Sequence, residues 1–233
     1  GKLPWKDVVA PAIRLAADGV VLTPDEAFVF GWARERMTES VAGTRAFYKP
    51  DGSLYAPGET LRQPDLAWSL RQIADHGADA FYTGEIAKRI AADMKAHDGL
   101  ITLEDLAAYK VAVRKPLVGT YRGYTVMTMP PASAGGPTLL NMLSILEQFD
   151  LKAMGPAGSA RSLHVMAEAM KLAYADRYRV LGDTDFVRAP VSGFISPAYG
   201  KARAGLIDLD KAKPARAMGP GDPQPFESPN TTH

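Results

Sequence analysis

An α+β fold, predominantly helical with one β-hairpin, is what this sequence predicts, and three observations carry that expectation. Apolar residues recur at helical spacing over most of the first 110 residues and again from 160 to 181. Capping signals stand at the head of several of these runs. One pair of β-rich runs flanks a two-residue turn, Arg122-Gly123. With 233 residues, 46% of them hydrophobic, the chain has room for one large or two small domains with a buried core.

Taken in order, Trp5, Val8, Val9, Ala12, Ile13 and Ala16 make a first helical stripe ended by Gly19, with Pro11 expected to kink or split it. Thr23-Pro24-Asp25-Glu26 is a capping box with proline at the first helical position, so a second helix is expected to run towards Ser40. Phe47 to Tyr55 reads as two short extended runs about a turn. Pro64 opens a third helix that stops at Gly77. A fourth, 85–97, carries Ile86, Ile90, Ala91 and Met94 on one stripe. Thr102-Leu103-Glu104-Asp105 caps a short helix ending near Lys110. The hairpin then pairs 117–121 with 124–129. After the breaker loop 130–137 an apolar helix covers 138–149. Ser159 caps the longest helix, 160–181, expected to turn Leu163, Met166, Ala167, Met170, Ala173, Tyr174 and Tyr178 inward. The division expected is a helical portion, 1–211, followed by an extended Pro/Gly-rich linker, 212–233.

Charge and composition exclude several functions. Lys and Arg number 27 against 26 Asp and Glu, a net +1, which argues against nucleic-acid binding through clustered cations. No apolar run approaches the ~20 residues of a membrane span. The absence of cysteine removes disulfides, thiolate metal sites and Cys nucleophiles, and suits a periplasm or a cytosol equally. The four histidines have no ligand spacing, so no metal is expected. His76 and His97 suit helix C-termini, and His164 an interior or surface position. Glu168, Lys171, Asp176, Arg177 and Arg179 read as a solvated polar face, or as a docking face because Tyr174 and Tyr178 lie among them.

Two places have chemical potential. The loop Ser133-Ala134-Gly135-Gly136 before a helix is a candidate backbone nest for an anion or oxyanion, through Gly135 and Gly136, although it lacks the Lys-Ser/Thr pair of a phosphate loop. Asn230-Thr231-Thr232 matches a glycosylation acceptor, and also a self-processing site. In the second reading the Thr231 hydroxyl attacks the carbonyl of Asn230. Once hydrolysis frees the chain end, that hydroxyl is a nucleophile and its own α-amine, with a pKa of about 7.7–8.0, is the base.

Along nearly its whole length the chain resembles the γ-glutamyltranspeptidases, members of the N-terminal-nucleophile hydrolase class. The resemblance is collinear. It runs through Pro4-Trp5-Lys6-Asp7-Val8-Val9, Ala78-Asp79-Ala80-Phe81-Tyr82-Thr83-Gly84 and Gly99-Leu100-Ile101-Thr102-Leu103-Glu104-Asp105-Leu106. It continues through Tyr121-Arg122-Gly123-Tyr124, Met129-Pro130-Pro131 with Gly135-Gly136, and Ala173-Tyr174-Ala175-Asp176-Arg177, and it ends at Glu227-Ser228-Pro229-Asn230-Thr231-Thr232-His233. It implies a precursor that cuts itself between Asn230 and Thr231 into a large and a small subunit held in an αββα sandwich. Thr231 would then carry a γ-glutamyl group from a donor such as glutathione to water, an amino acid or a peptide, without a cofactor. A periplasmic or secreted parent protein follows from the same resemblance.

On this reading the chain is the later part of the large subunit, inactive by itself. The segment with the donor-binding Arg would lie before Gly1, and the small subunit, with the second catalytic Thr and the glycine oxyanion hole, would follow His233. A glutaryl- or cephalosporin-type acylase with the same nucleophile logic is the alternative within the fold. A noncatalytic helical scaffold is the alternative from another class, and it predicts that apolar faces such as Met166/Met170 stay partly uncovered.

Overall fold

The computed structural model describes residues 1–228, so the Asn230–Thr231 expectation lies outside the described residues. The chain folds as two compact units, Gly1–Val111 and Ala112–His233. By contacts between residues, the division falls at 111/112.

In the first unit, α1 (Trp5–Asp18) packs on α5 (Pro64–His76), and the Trp5 indole N–H donates to the Ile73 carbonyl at 2.9 Å. Pro11 lies inside α1 without splitting it. A two-residue ladder joins β1 (Val20–Val21) antiparallel to β2 (Thr60–Leu61), with Val20 opposite Leu61. Thr23 and Glu26 form the expected capping box at α2 (Pro24–Trp32), but that helix stops early. α3 (Arg34–Met37) is a single turn, and α4 (Val41–Phe47) is capped by Ser40, whose hydroxyl accepts from Gly43 N–H at 2.9 Å. Phe47 is thus helical rather than extended, and the expected turn follows it, closed by Lys49 N–H to Ser53 O at 3.0 Å. α6 (Asp79–Tyr82), α7 (Glu85–Ala96) and α8 (Leu103–Ala108) complete the unit. Arg89 of α7 lies 3.9 Å over the Trp68 ring of α5, and Thr102 and Asp105 box the start of α8.

The second unit opens with the hairpin, β3 (Leu117–Tyr121) and β4 (Tyr124–Thr128), paired in register from Leu117↔Thr128 to Tyr121↔Tyr124. Its turn residues both have positive φ, 52° at Arg122 and 83° at Gly123, the combination a type I′ hairpin needs. A non-glycine residue pays for that conformation, and Arg122 is held in it. Its N–H donates to the Glu147 carboxylate at 3.0 Å, and its guanidinium donates to the Leu146 and Phe149 carbonyls. The same contacts satisfy carbonyls at the end of α9 (Gly135–Leu146), which starts three residues earlier than the sequence suggests.

α9 packs on α10 (Ala160–Val180) and α12 (Pro197–Ala204), and α11 (Val191–Phe194) bridges to the final segment. The core is Ile145, Leu146, Val165, Ala169, Leu172, Ala204 and Met218. Of the seven residues expected to turn inward on α10, only Ala173 is buried. Met166 and Met170 are 42% and 47% exposed and Tyr178 is 80% exposed. The buried stripe is Ser162, Val165, Ala169, Leu172 and Asp176, which has equally good helical spacing. Two stripes compete, and packing favours the one with small aliphatic residues in its middle. Its polar ends are tolerated because each finds partners.

Residues from 212 onward were expected as a linker. The described part of this stretch, 212–228, has short 3₁₀ turns at Ala215–Ala217 and Gln224–Phe226 and is packed: Met218 joins the core and Pro223 is fully buried. Hydrogen bonds to α10 and α11 hold them down, a pairing that proline and glycine content does not reveal.

Candidate active site

The segment that leads to Asn230 and Thr231 is anchored at two places in the second unit. The first is a buried polar cluster. Asp176, fully buried on α10, accepts from the Tyr199 hydroxyl at 2.8 Å, from the Arg203 guanidinium at 2.8 Å and from Gly221 N–H at 2.7 Å. Arg203 also donates to the Gly219 carbonyl at 3.0 Å, so α12 and residues 219–221 share one carboxylate. Burial pushes the Asp176 carboxyl above its ordinary value, against the pull of Gly221 N–H, Arg203 and Tyr199. Burial and the neighbouring carboxylate push the Tyr199 hydroxyl up as well, which keeps it a donor.

The second anchor lies six residues further on. Glu227 accepts from the Ser192 hydroxyl at 2.9 Å and from Gly193 N–H at 2.7 Å, and Ser228 N–H donates to Ser192 Oγ at 3.2 Å. Glu168, expected on a solvated face, is 1% exposed and pairs with Lys171, which also donates to the Lys213 carbonyl at 2.5 Å. The polar face of α10 is therefore in part an interior tether, a correction that follows from which stripe is buried.

Gly135 and Gly136 are the first two residues of α9, with Ala134 as the N-cap. The N–H groups of a first turn have no intrahelical partner; here Gly135 is exposed, Gly136 is buried and Pro137, third in the helix, carries no N–H. Gly136 has a packing reason of its own: a Cβ there would stand 1.9 Å from the Met129 carbonyl oxygen. At Gly135 the nearest atom to such a Cβ is Ser133 Oγ, at 3.7 Å. Gly136→Ala should therefore cost about 1–3 kcal/mol through overpacking. Gly135→Ala should be neutral or stabilise by up to about 1 kcal/mol, because alanine favours helix. Urea midpoints of the two variants check this, and equal losses would remove the distinction. A cleft of about 260 Å³ lies beside the loop, lined by Pro131, Ala132, Ala134, Arg177, Tyr178 and Asp183 among others.

Two of the histidines make contacts within the fold. His164 bonds the Asp208 carbonyl at 2.7 Å, and His97 sits beside Asp93 at the end of α7. Among the described residues no group of three or more His, Asp or Glu side chains is gathered as a metal would require, and no helix is long and apolar enough to cross a membrane.

Sequence reasoning singled out Asp176 and quoted Glu227, but it did not find Ser192, Gly193, Tyr199, Arg203 or Gly221. One signal was available: Ser196-Pro197 is a helix start that announces α12, with Ser196 accepting from Tyr199 N–H at 3.1 Å.

Residues 1–233 match the family model described as gamma-glutamyltranspeptidase. The chain belongs to that family. The glutathione hydrolase proenzyme of Escherichia coli (strain K12) is 44% identical over 236 residues, covering all of this chain and 40% of the relative. The acylase ACY 1 proenzyme of Pseudomonas sp. (strain SE83) is 38% identical over 239 residues, again covering all of this chain and 41% of the relative. Among solved structures, the Helicobacter pylori gamma-glutamyltranspeptidase matches with a TM-score of 0.88 at 41% identity, over 97% of this chain and 64% of that one. The chain thus spans about two fifths of the length of these curated relatives.

Proposed function

We propose that this chain is part of a self-processing γ-glutamyltransferase and glutathione hydrolase, with Thr231 as nucleophile and Asn230–Thr231 as the processed bond. The observation that carries the proposal is the match of the whole chain to the gamma-glutamyltranspeptidase family. The naming of its relatives as glutathione hydrolase proenzymes supports it, as does the double anchoring of the segment that leads to Thr231.

In the precursor, Thr231 Oγ attacks the Asn230 carbonyl carbon and gives up its proton. The C–N bond then breaks, and the Thr231 nitrogen takes a proton to become a free amine. Water hydrolyses the resulting ester, leaving a carboxylate on Asn230 and the hydroxyl back on Thr231. That hydroxyl next attacks the γ-glutamyl carbonyl of a donor such as glutathione; the α-amine takes its proton and passes it to the amine that leaves as the donor's C–N bond breaks, and the ester formed then gives the γ-glutamyl group to water, an amino acid or a peptide and restores the hydroxyl. No cofactor enters these steps.

A small subunit derived from the same precursor is the proposed partner. The exposed Leu163, Met166, Met170 and Tyr178 stripe supports a covering surface of that kind, as does the groove of about 530 Å³ beside it. The first turn of α9, at Gly135 and Gly136, is proposed as a secondary place for an anion. A periplasmic or secreted compartment is proposed from the bacterial relatives. The acylase reading keeps one specific support, the 38% identity to an acylase proenzyme.

The test is the intact mass of the longer precursor that contains this chain, followed by assay of the product with a γ-glutamyl anilide and a glutaryl amide. Two pieces, the smaller beginning at Thr231, with turnover of the γ-glutamyl substrate, are expected. Preference for the glutaryl amide would move the assignment to the acylases. An uncut, inactive chain would leave the scaffold reading.

A further inference from the structure

α10 turns both of its acids inward and leaves cations outside. Glu168 pairs with Lys171, and Asp176 accepts from Tyr199, Arg203 and Gly221, so both carboxylates are buried. The outer face shows Leu163, Met166, Met170, Tyr174 and Tyr178, at spacings of three and four residues. At 3.6 residues per turn those spacings keep the five within about a third of the helix circumference. Arg177 stands beside them, its guanidinium 5.3 Å from the Tyr174 ring and 5.7 Å from the Tyr178 ring.

Met170, Tyr174 and Tyr178 form one wall of the groove of about 530 Å³, and Ala215, Arg216 and Met218 form the other. Among the described residues the charged side chains that line it are Lys171 and Arg216, and no carboxylate does. Lys171 is already matched by Glu168. Neither Arg177 nor Arg216 pairs with a carboxylate among the described residues. Asp183 lines the separate, smaller cleft on which Arg177 and Tyr178 also border.

An apolar face of this extent favours a cover that removes it from water. A purely apolar cover would strip water from Arg177 and Arg216 and give them no counter-charge, which is costly. A second copy pairing through the same helix meets the same obstacle. Antiparallel helices would bring Arg177 and Arg179 towards the copy's Arg161, and parallel ones would set each cation against its own equivalent. The charge on this face therefore calls for an acidic cover.

We infer that the groove seats an acidic, amphipathic segment of the small subunit, with its apolar side chains on Met170, Tyr174 and Tyr178 and its carboxylates on Arg177 and Arg216. The inference rests on the two-chain reading above and gives that contact a place and a chemistry. Tyrosines flanking an arginine are also the composition in which interface binding energy concentrates.

Two measurements on the full-length protein test it. In the first, Met170→Cys places a thiol in a chain that has no cysteine, and its labelling by a maleimide is followed by peptide mass. Under a cover, that thiol should label at least about tenfold slower in the folded protein than in urea, whereas a half-exposed one should stay within about threefold. In the second, size exclusion through a urea series reads how much small subunit stays with the large one in wild type, Arg177→Lys, Arg177→Gln and Arg177→Glu. Arg177→Lys should stay close to wild type. Arg177→Gln removes the charge and Arg177→Glu opposes like with like, so at a common urea concentration Arg177→Glu should bind at least about tenfold more weakly than Arg177→Gln.

Fast labelling of Met170→Cys would overturn the seat. Equal behaviour of Arg177→Gln and Arg177→Glu would overturn its acidic occupant. Protection that disappears on dilution would assign the groove to a second copy instead. An uncut wild type would defeat the self-processing reading alone. Labelling would still report on the groove, and the Arg177 variants would be ranked by the urea midpoint of the single chain.

Discussion

Thr231→Ala should leave the precursor in one piece for as long as it stays folded. Alanine has no hydroxyl to attack the Asn230 carbonyl, and nothing in the scheme supplies another nucleophile to that bond. Thr231→Ser keeps the hydroxyl but loses the β-branch that restricts χ1 to few rotamers. It should still cut, slower by up to about tenfold, because the attacking oxygen spends less time in line. Thr232→Ala should cut normally and give a smaller piece that still begins at Thr231. Intact mass of the four precursors over several hours reads all of these outcomes. Cleavage of Thr231→Ala at the same bond would show that a second protein, or another side chain, performs the cut.

Asp176→Ala should be the most destabilising single change in the described chain. It removes the acceptor of three donors and leaves Arg203, 7% exposed at the side chain, as a buried cation without its partner. Breaking one side of such a pair costs about 3–5 kcal/mol. For a chain of this length that lowers the unfolding midpoint by about 6–20 °C. The double variant Asp176→Leu/Arg203→Met should lose less than either single change, since a buried pair replaced by apolar groups is often close to neutral. Differential scanning calorimetry of wild type, Asp176→Ala, Asp176→Leu, Arg203→Met and the double variant decides it, and a loss under about 1 kcal/mol for Asp176→Ala would deny the cluster its structural weight.

The contribution of Asp176 to the pH dependence has a definite sign. Burial raises the folded value of Asp176 above its ordinary one, so the native state holds the proton more readily than the unfolded chain does. The stability this group contributes is present below its unfolded value and declines as pH rises through its folded value. Acid unfolding therefore begins elsewhere, at carboxylates whose values are lowered. Examples are Glu26, held down by the backbone and side chain of Thr23, and Asp105, held down by those of Thr102.

How much of this was legible in advance depends on the range of the interaction. Both capping boxes, at Thr23 and Thr102, were readable because donor and acceptor lie three residues apart. The hairpin turn at Arg122-Gly123 was readable for the same reason. The α+β, mostly helical character followed from these local signals. The inward face of α10 was not readable, since two stripes of equal period compete and only the packing of α9 and α12 chooses between them. Of the site, Thr231 and Asn230 rest on collinear resemblance and lie outside the described residues. The residues that hold their approach were invisible for a different reason. Ser192 and Glu227 are 35 residues apart, and Asp176 and Gly221 are 45 apart, with no periodic signal joining them.

Those long separations have a consequence for biogenesis. Contacts that close long loops form late, after the local structure they join. The tail can settle against Asp176 and Ser192 only once α9, α10, α11 and α12 are in place, because each of these helices supplies part of its seat. If self-cleavage waits for that settling, the cut doubles as a quality-control stamp. A chain that stalls halfway keeps its zymogen form, and the fraction cut becomes a direct count of molecules that finished folding.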